Sequence, residues 1–346
     1  MAENGAQQLC QAVFGEGAMM GRALAVHLIR SLDPELRGPI TELMGEFVSL
    51  ADIPAARAAE GKMMEAVKAQ TPVLQPVEVE VGVLPGSEGA PDVTVRIYRP
   101  EGRKAVLPAL LWIHGGGYVL GSIEYEDATC ARLAAETDCV TVAVEYRLAP
   151  ENPFPAPLED CYAALRWMAA SADELGIDRS RIAIGGASAG GGLSAGLALL
   201  ARDRGEIDIA FQLLVYPMLD DRNAAPASEV LQDAIFWTRE NNLVAWRSYL
   251  GREPGGEGVS GYASASRAAE LEGLPPACVT VGDQDLLVDE DIDYARRLIR
   301  AGVPTELHVY PGGCHSLDML VPQADISRRF TSDLVRALKR ALHQEQ

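Results

Sequence analysis

The stretch that most constrains this chain is Arg181-Ile182-Ala183-Ile184-Gly185-Gly186-Ala187-Ser188-Ala189-Gly190-Gly191. An apolar run breaks at Gly186-x-Ser188-x-Gly190, and an Ala- and Leu-rich helical segment, residues 193–201, follows at once. Strand, sharp turn and helix in that order put one serine at the apex. Gly186 and Gly190 flank it because neighbouring backbone must pass close to the turn, where any Cβ would clash. The helix that starts beside Ser188 aims unpaired N–H groups and a partial positive charge at whatever the hydroxyl attacks. Such a pentapeptide carries little weight by itself in a Gly- and Ala-rich chain. Its meaning depends on what surrounds it.

What surrounds it alternates strand with helix. Residues 109–113, Ala-Leu-Leu-Trp-Ile, are continuously apolar, the pattern of a strand buried in the middle of a parallel sheet. Further strands are predicted over 140–144, 210–216, 277–281 and 305–310, and helices over 124–137, 158–171, 289–301 and 324–342. This predicts an α/β fold: a mostly parallel, twisted, doubly wound sheet of about eight strands, with helices on both faces and right-handed crossovers. Functional loops then belong at the carboxyl ends of the strands. Before the alternation, Val77, Val79, Val81 and Val83 and, after the turn Pro85-Gly86-Ser87, Val93, Val95 and Ile97 predict an antiparallel strand pair. Two segments stand outside the alternation. Residues 1–75 are helical in texture, with Leu24, Leu28, Leu32, Leu43, Phe47 and Leu50, and are broken by Pro34, Pro39, Pro54 and Pro72. Residues 218–260 carry Pro226, Trp237, Trp246, Tyr249 and Gly255-Gly256. The expected organisation is a helical segment (1–75), a catalytic domain (76–217 and 261–346) and an inserted segment (218–260).

A net charge of −19 argues against nucleic acid and anionic membrane surfaces as partners and leaves small molecules open. No run of about 18 apolar residues occurs, so no membrane span is expected. The opening Met-Ala-Glu-Asn shows no basic-then-apolar signal, and the expectation is a cytoplasmic protein. Cys10, Cys130, Cys139, Cys161, Cys278 and Cys314 lack metal-ligand spacing and read as reduced, buried thiols. No metal and no cofactor is expected. An edge strand near 305–310 could pair across a homodimer.

A serine hydroxyl needs a base, usually a histidine oriented by a carboxylate. His27 and His343 lie in terminal helical segments, and His308 alternates with Leu307 and Val309 in a strand as a structural residue. That leaves His114, directly before three glycines, and His315, in the turn after the last strand. For a serine on a strand-to-helix elbow the base comes last in the chain, which selects His315 and leaves His114 to order its own loop. Gly115, Gly116 and Gly117 let backbone N–H groups converge on an oxyanion, and the expected donors are Gly115, Gly116 and Ala189. The acid should lie between Ser188 and His315. Asp289 fits a helix N-cap, with Glu290 and Asp291 in the first turn, so these are structural. Asp283 and Asp285 remain, and spacing does not separate them.

His114-Gly-Gly-Gly-Tyr118, Tyr146-Arg-Leu-Ala-Pro-Glu151, Gly186-Ala-Ser-Ala-Gly-Gly191, Asp285-x-Leu-x-Asp-Glu290 and the turn ending at His315 occur together and in order. Over residues 75–345 the chain resembles the hormone-sensitive lipase family of α/β-hydrolases, bacterial carboxylesterases among them. The resemblance implies the α/β-hydrolase fold, Asp285 as the acid, and a helical cap made by residues 1–75 and 218–260. It implies a serine carboxylesterase that hydrolyses short- to medium-chain acyl esters through an acyl-enzyme, the small-molecule ester being its partner. Tyr118, Trp237, Leu286 and Leu317 are the expected pocket residues. The chain departs from the family at Ala187, where Asp or Thr is usual, and at Ser316-Leu317, where Gly and an aromatic usually follow the histidine. An amide-cleaving relative would share the whole apparatus. A non-catalytic receptor on this fold would lack a triad member, and here all three are present.

Overall fold

A computed structural model describes residues 29–43, 49–70, 76–87, 89–102, 105–222 and 236–343. The strands are β1 (Val77–Leu84), β2 (Val93–Pro100), β3 (Leu107–Ile113), β4 (Val140–Glu145), β5 (Ile177–Ala187), β6 (Phe211–Val215), β7 (Ala277–Gly282) and β8 (Thr305–Tyr310). They form one eight-stranded sheet in the order β1-β2-β4-β3-β5-β6-β7-β8. β2 runs antiparallel to both its neighbours, and every pairing from β4 to β8 is parallel. Successive side chains of a strand point to opposite faces, so the unbroken burial of β3, β6 and β7 means that both faces are covered. β1 is the contrasting case. It lies at the sheet edge, and Val79, Val81 and Val83 stay exposed there despite their regular alternation.

The helices are α1 (Pro34–Leu43), α2 (Ile53–Gln70), α3 (Asp127–Thr137), α4 (Ala156–Ala170), α5 (Ala189–Arg204), α6 (Arg239–Leu250), α7 (Val288–Arg300) and α8 (Asp325–His343). α5, rising from the serine turn, is buried at every position from Ala189 to Ala201. α8 shows the opposite, one-sided pattern: Ile326, Phe330, Leu334, Leu338 and Leu342 are buried while Arg328, Arg329 and Arg336 face solvent. Burying each such large apolar side chain contributes about 1.5–3 kcal/mol. Among the described residues, no helix is long and apolar enough to cross a membrane.

The sequence predicts Asp289 as the N-cap of α7. Instead α7 begins at Val288, the capping position is Leu287, and no side chain caps it in the usual way. The Leu287 N–H donates to Asp285 Oδ1 (3.0 Å), so the carboxylate two residues upstream takes that orphan donor. Glu290 and Asp291 do fall in the first turn but are buried, and Glu290 Oε1 accepts the Leu219 and Asp220 N–H groups.

α1, α2 and α6 reach the carboxyl ends of the strands through specific bonds. Asp33 N–H donates to Gly312 O (2.9 Å), Leu50 N–H to Asn241 Oδ1 (2.9 Å), and Gly121 N–H to Glu60 Oε2 (3.0 Å). The Arg57 guanidinium grips both Glu151 carboxylate oxygens (2.8 and 2.9 Å) and the Val119 and Ala149 carbonyls. Leu24, Leu28, Phe47, Pro72 and Pro226, named in the sequence pattern, lie outside the described residues, as do Cys10 and His27.

Candidate active site

β5 ends between β3 and β6, with Gly186 level with Ile113 on one side and Leu214 on the other. The chain must then reverse within a few residues to start α5. Ser188 absorbs the reversal at φ 57° and ψ −117°, a region that costs a residue with a Cβ about 1–3 kcal/mol. Its own backbone holds it there: Ser188 N–H donates to Val215 O (2.8 Å), and Ser188 O accepts from Met218 N–H (3.0 Å). Gly190 faces the underside of the turn. A Cβ there would sit 2.0 Å from Ile113 O, and one at Gly186 would sit 2.4 Å from the same oxygen. The elbow closes only with glycine at both positions.

His315 lies in the turn beyond β8, and its Nε2 is 3.0 Å from Ser188 Oγ. Its Nδ1 is 2.7 Å from Asp285 Oδ2. An ionised carboxylate can only accept, so Nδ1 carries the proton and Nε2 is left to accept from the serine hydroxyl. Asp285 is fully buried, and its two oxygens are divided between the imidazole and the Leu287 N–H. Asp283 is placed differently. Its Oδ1 accepts the Gly312 N–H (2.7 Å) in the turn that carries His315, so it braces the loop and does not touch the ring. Chain folding thus brings Ser188, His315 and Asp285 into one hydrogen-bonded line and leaves Asp283 outside it.

The other half of the rim is the loop after β3. His114 is 1% exposed, its ring stacks on Tyr146 (4.1 Å between centroids, 12° between planes), and Tyr146 Oη–H donates to His114 O (3.0 Å). His114 Nδ1 contacts Gly115 O at 2.7 Å, which fits the expected role of ordering the loop. Burial lowers its pKa to about 4, so the imidazole is neutral. Gly116 and Gly117 have φ of +109° and +59°. The Glu126 carboxylate lies close to Gly115 and accepts Trp112 Nε1–H (2.9 Å).

The family described as alpha/beta hydrolase fold matches residues 110–319. This chain belongs to that family, the hormone-sensitive-lipase-like α/β-hydrolases. It is similar to the carboxylesterase NlhH of Mycobacterium tuberculosis, 35% identical over 318 residues that span 90% of this chain and 97% of that one. The ethyl acetate hydrolase of Pseudomonas putida is 33% identical over 237 residues, 67% of this chain and 74% of the other. Among solved structures, a bacterial heroin esterase superposes with a TM-score of 0.88 at 43% identity, covering 91% of this chain and 99% of that one.

In this hydrolase, Ser188 and His315 open into a cavity roofed by Leu50, Met63 and Met64 of the N-terminal segment and by Phe236, Trp237 and Asn241 of the inserted one. Of the four residues expected to line it, Trp237 does. It packs so tightly on the glycine loop that a Cβ at Gly117 would come within 2.4 Å of the indole. Tyr118 does not: its ring is buried against Tyr249 (4.0 Å) and its hydroxyl donates to Met218 O (3.2 Å). Leu286 and Leu317 are likewise turned into the protein, at 3% and 0% exposure. Adjacent side chains on a loop point in different directions, so neighbours of site residues need not face the site. For Leu317 the local cause is Ser316, left-handed at φ 57°.

Glu60, Glu126, Tyr216 and Asp318 line the hydrolase's cavity and were not singled out from the sequence. Tyr216 directly follows β6, so the strand-end rule could have found it; its ring tilts against His315 (4.7 Å) and its hydroxyl donates to Asp318 Oδ1 (3.0 Å). Asp318 lies three residues past His315, and burial raises its carboxyl. Glu126 is pushed up to about 7 by burial. No local pattern marks Glu126 or Glu60. Cys314, beside the base, is a buried thiol pushed up to about 12, inert as a nucleophile.

Proposed function

We propose that this chain is a serine carboxylesterase in which Ser188 is the nucleophile, His315 the general base and Asp285 the orienting acid. Ester hydrolysis is the activity of this protein, as its carboxylesterase and esterase relatives indicate. The observation that carries the assignment of roles is the continuous line Ser188 Oγ–His315–Asp285, at 3.0 and 2.7 Å. Ser188 attacks the ester carbonyl as His315 Nε2 takes its proton, and Asp285 stabilises the imidazolium. N–H groups of the Gly115–Gly117 loop and of Ala189 stabilise the oxyanion, each such donor being worth about 10²–10³ in rate. His315 returns the proton to the leaving alcohol, and water then deacylates Ser188 along the same path. No step calls for a metal or cofactor.

Residues 1–75 and 218–260 act together as the cap. Leu50, Met63, Met64 and Phe236 make the larger part of its contribution to the wall apolar and compliant, which suits short to medium acyl chains. The test is a series of p-nitrophenyl esters from acetate to dodecanoate. Catalytic efficiency should peak at or below octanoate, and Ser188→Ala should abolish turnover of all of them while the circular dichroism spectrum is kept. Full activity in Ser188→Ala, or a maximum at dodecanoate, would refute the role or the chain-length range respectively.

A further inference from the structure

We infer that Glu126 and Asp318 select esters whose alcohol part carries an ammonium group. This rests on the esterase assignment above and narrows it to a substrate class. The cavity wall holds three carboxylates, Glu60, Glu126 and Asp318, and no Lys or Arg is among its lining residues. The donors to these carboxylates are all neutral: Trp112 Nε1–H for Glu126, Tyr216 Oη–H for Asp318, Gly121 N–H for Glu60. Among the described residues, none of the three has an ion pair with Lys or Arg. Glu126 and Asp318 also repel each other, and burial raises both carboxyls. Buried carboxylates in this state are stabilised by a cation brought in from outside.

The rest of the wall suits such a cation. Trp112, Tyr125, Tyr216, Phe236 and Trp237 face the same cavity, and aromatic faces attract alkylammonium groups. A chain of net charge −19 concentrates cations near its surface before binding. The side of the ester follows from the proton path. His315 protonates the leaving alcohol, so the alcohol lies on the imidazole side. Asp318 is on that side too: it is hydrogen-bonded to the Tyr216 whose ring leans on the imidazole.

The test compares acetylcholine with 3,3-dimethylbutyl acetate, the same ester with carbon in place of the charged nitrogen. Neither ligand titrates, and both depend equally on the triad, so the ratio of their kcat/KM values isolates the carboxylates. At pH 8.5 the wild-type ratio should favour acetylcholine by about tenfold, within the range of a cation set against a partly screened carboxylate. It should fall towards unity at pH 6 as Glu126 takes a proton. Glu126→Gln/Asp318→Asn should bring the ratio within about threefold of unity at both pH values. Independently of any variant, choline should inhibit p-nitrophenyl acetate hydrolysis by the wild type more strongly than 3,3-dimethylbutan-1-ol does. A wild-type ratio at or below unity at pH 8.5, or a preference unchanged in the double variant, overturns the inference and leaves the esterase assignment standing. A protein that hydrolyses none of these esters, p-nitrophenyl acetate included, overturns the esterase assignment itself.

Discussion

His114 follows β3 and His315 follows β8; both rings are buried, at 1% and 2% exposure, and both sit on the same rim of the sheet. Only one of them meets a carboxylate. His114 finds a carbonyl and the face of Tyr146, its Nε2 has no partner among the described residues, and burial holds it neutral with a pKa of about 4. His315 finds Asp285 at one nitrogen and the Ser188 hydroxyl at the other. Burial alone therefore makes an imidazole inert. The carboxylate at Nδ1 fixes the tautomer of the second ring and leaves its Nε2 to accept from the serine hydroxyl.

The largest effect expected from this contrast is on turnover. His315→Gln should cost about 10⁴-fold or more in kcat/KM for p-nitrophenyl butyrate, whereas His114→Gln should stay within about tenfold of the wild type. Comparable losses in both variants would make the two loops equivalent and remove the distinction. A smaller contrast separates the two acids of the loop after β7. Asp285→Asn should lower kcat by about 10³–10⁴, because the amide favours the wrong histidine tautomer. Asp283→Asn, which weakens only the brace at Gly312, should lose about tenfold or less. Reversed ranks in steady-state assays would transfer the acid's role to Asp283.

The smallest effect is on stability. His114 has a folded pKa below its ordinary value, so the unfolded chain takes a proton first as pH falls. Stability from this residue is complete above about pH 6.5 and is lost progressively down to about pH 4. The full loss is about 3 kcal/mol for a fully buried ring. Urea unfolding of His114→Gln across that range should give a shallower decline with acid than the wild type. Parallel curves would show that the ring is protonated in the folded protein.

The elbow was legible because its demands are local. A serine at positive φ between strand and helix needs glycines where backbone crosses, and Gly186 and Gly190 stand where a Cβ would strike Ile113 O. The order of nucleophile, acid and base along the chain was legible for the same reason of topology, since each follows a different strand of one sheet. Spacing did not separate Asp283 from Asp285, and only the family resemblance pointed to Asp285, because a two-residue offset in a loop decides which carboxylate faces inward. The pocket expectations for Tyr118, Leu286 and Leu317 failed on that same point of direction.

By itself the sequence determined an α/β-hydrolase with a nucleophilic serine, a final histidine and a glycine loop, since periodicity, turn chemistry and motif order all act over short stretches. That Asp285 reaches the ring while Asp283 braces the loop, and that three carboxylates share one cavity, were decided only by tertiary structure. Those outcomes depend on side-chain directions and on contacts such as Asp318 with Tyr216, 102 positions apart in the chain, and no local pattern encodes them.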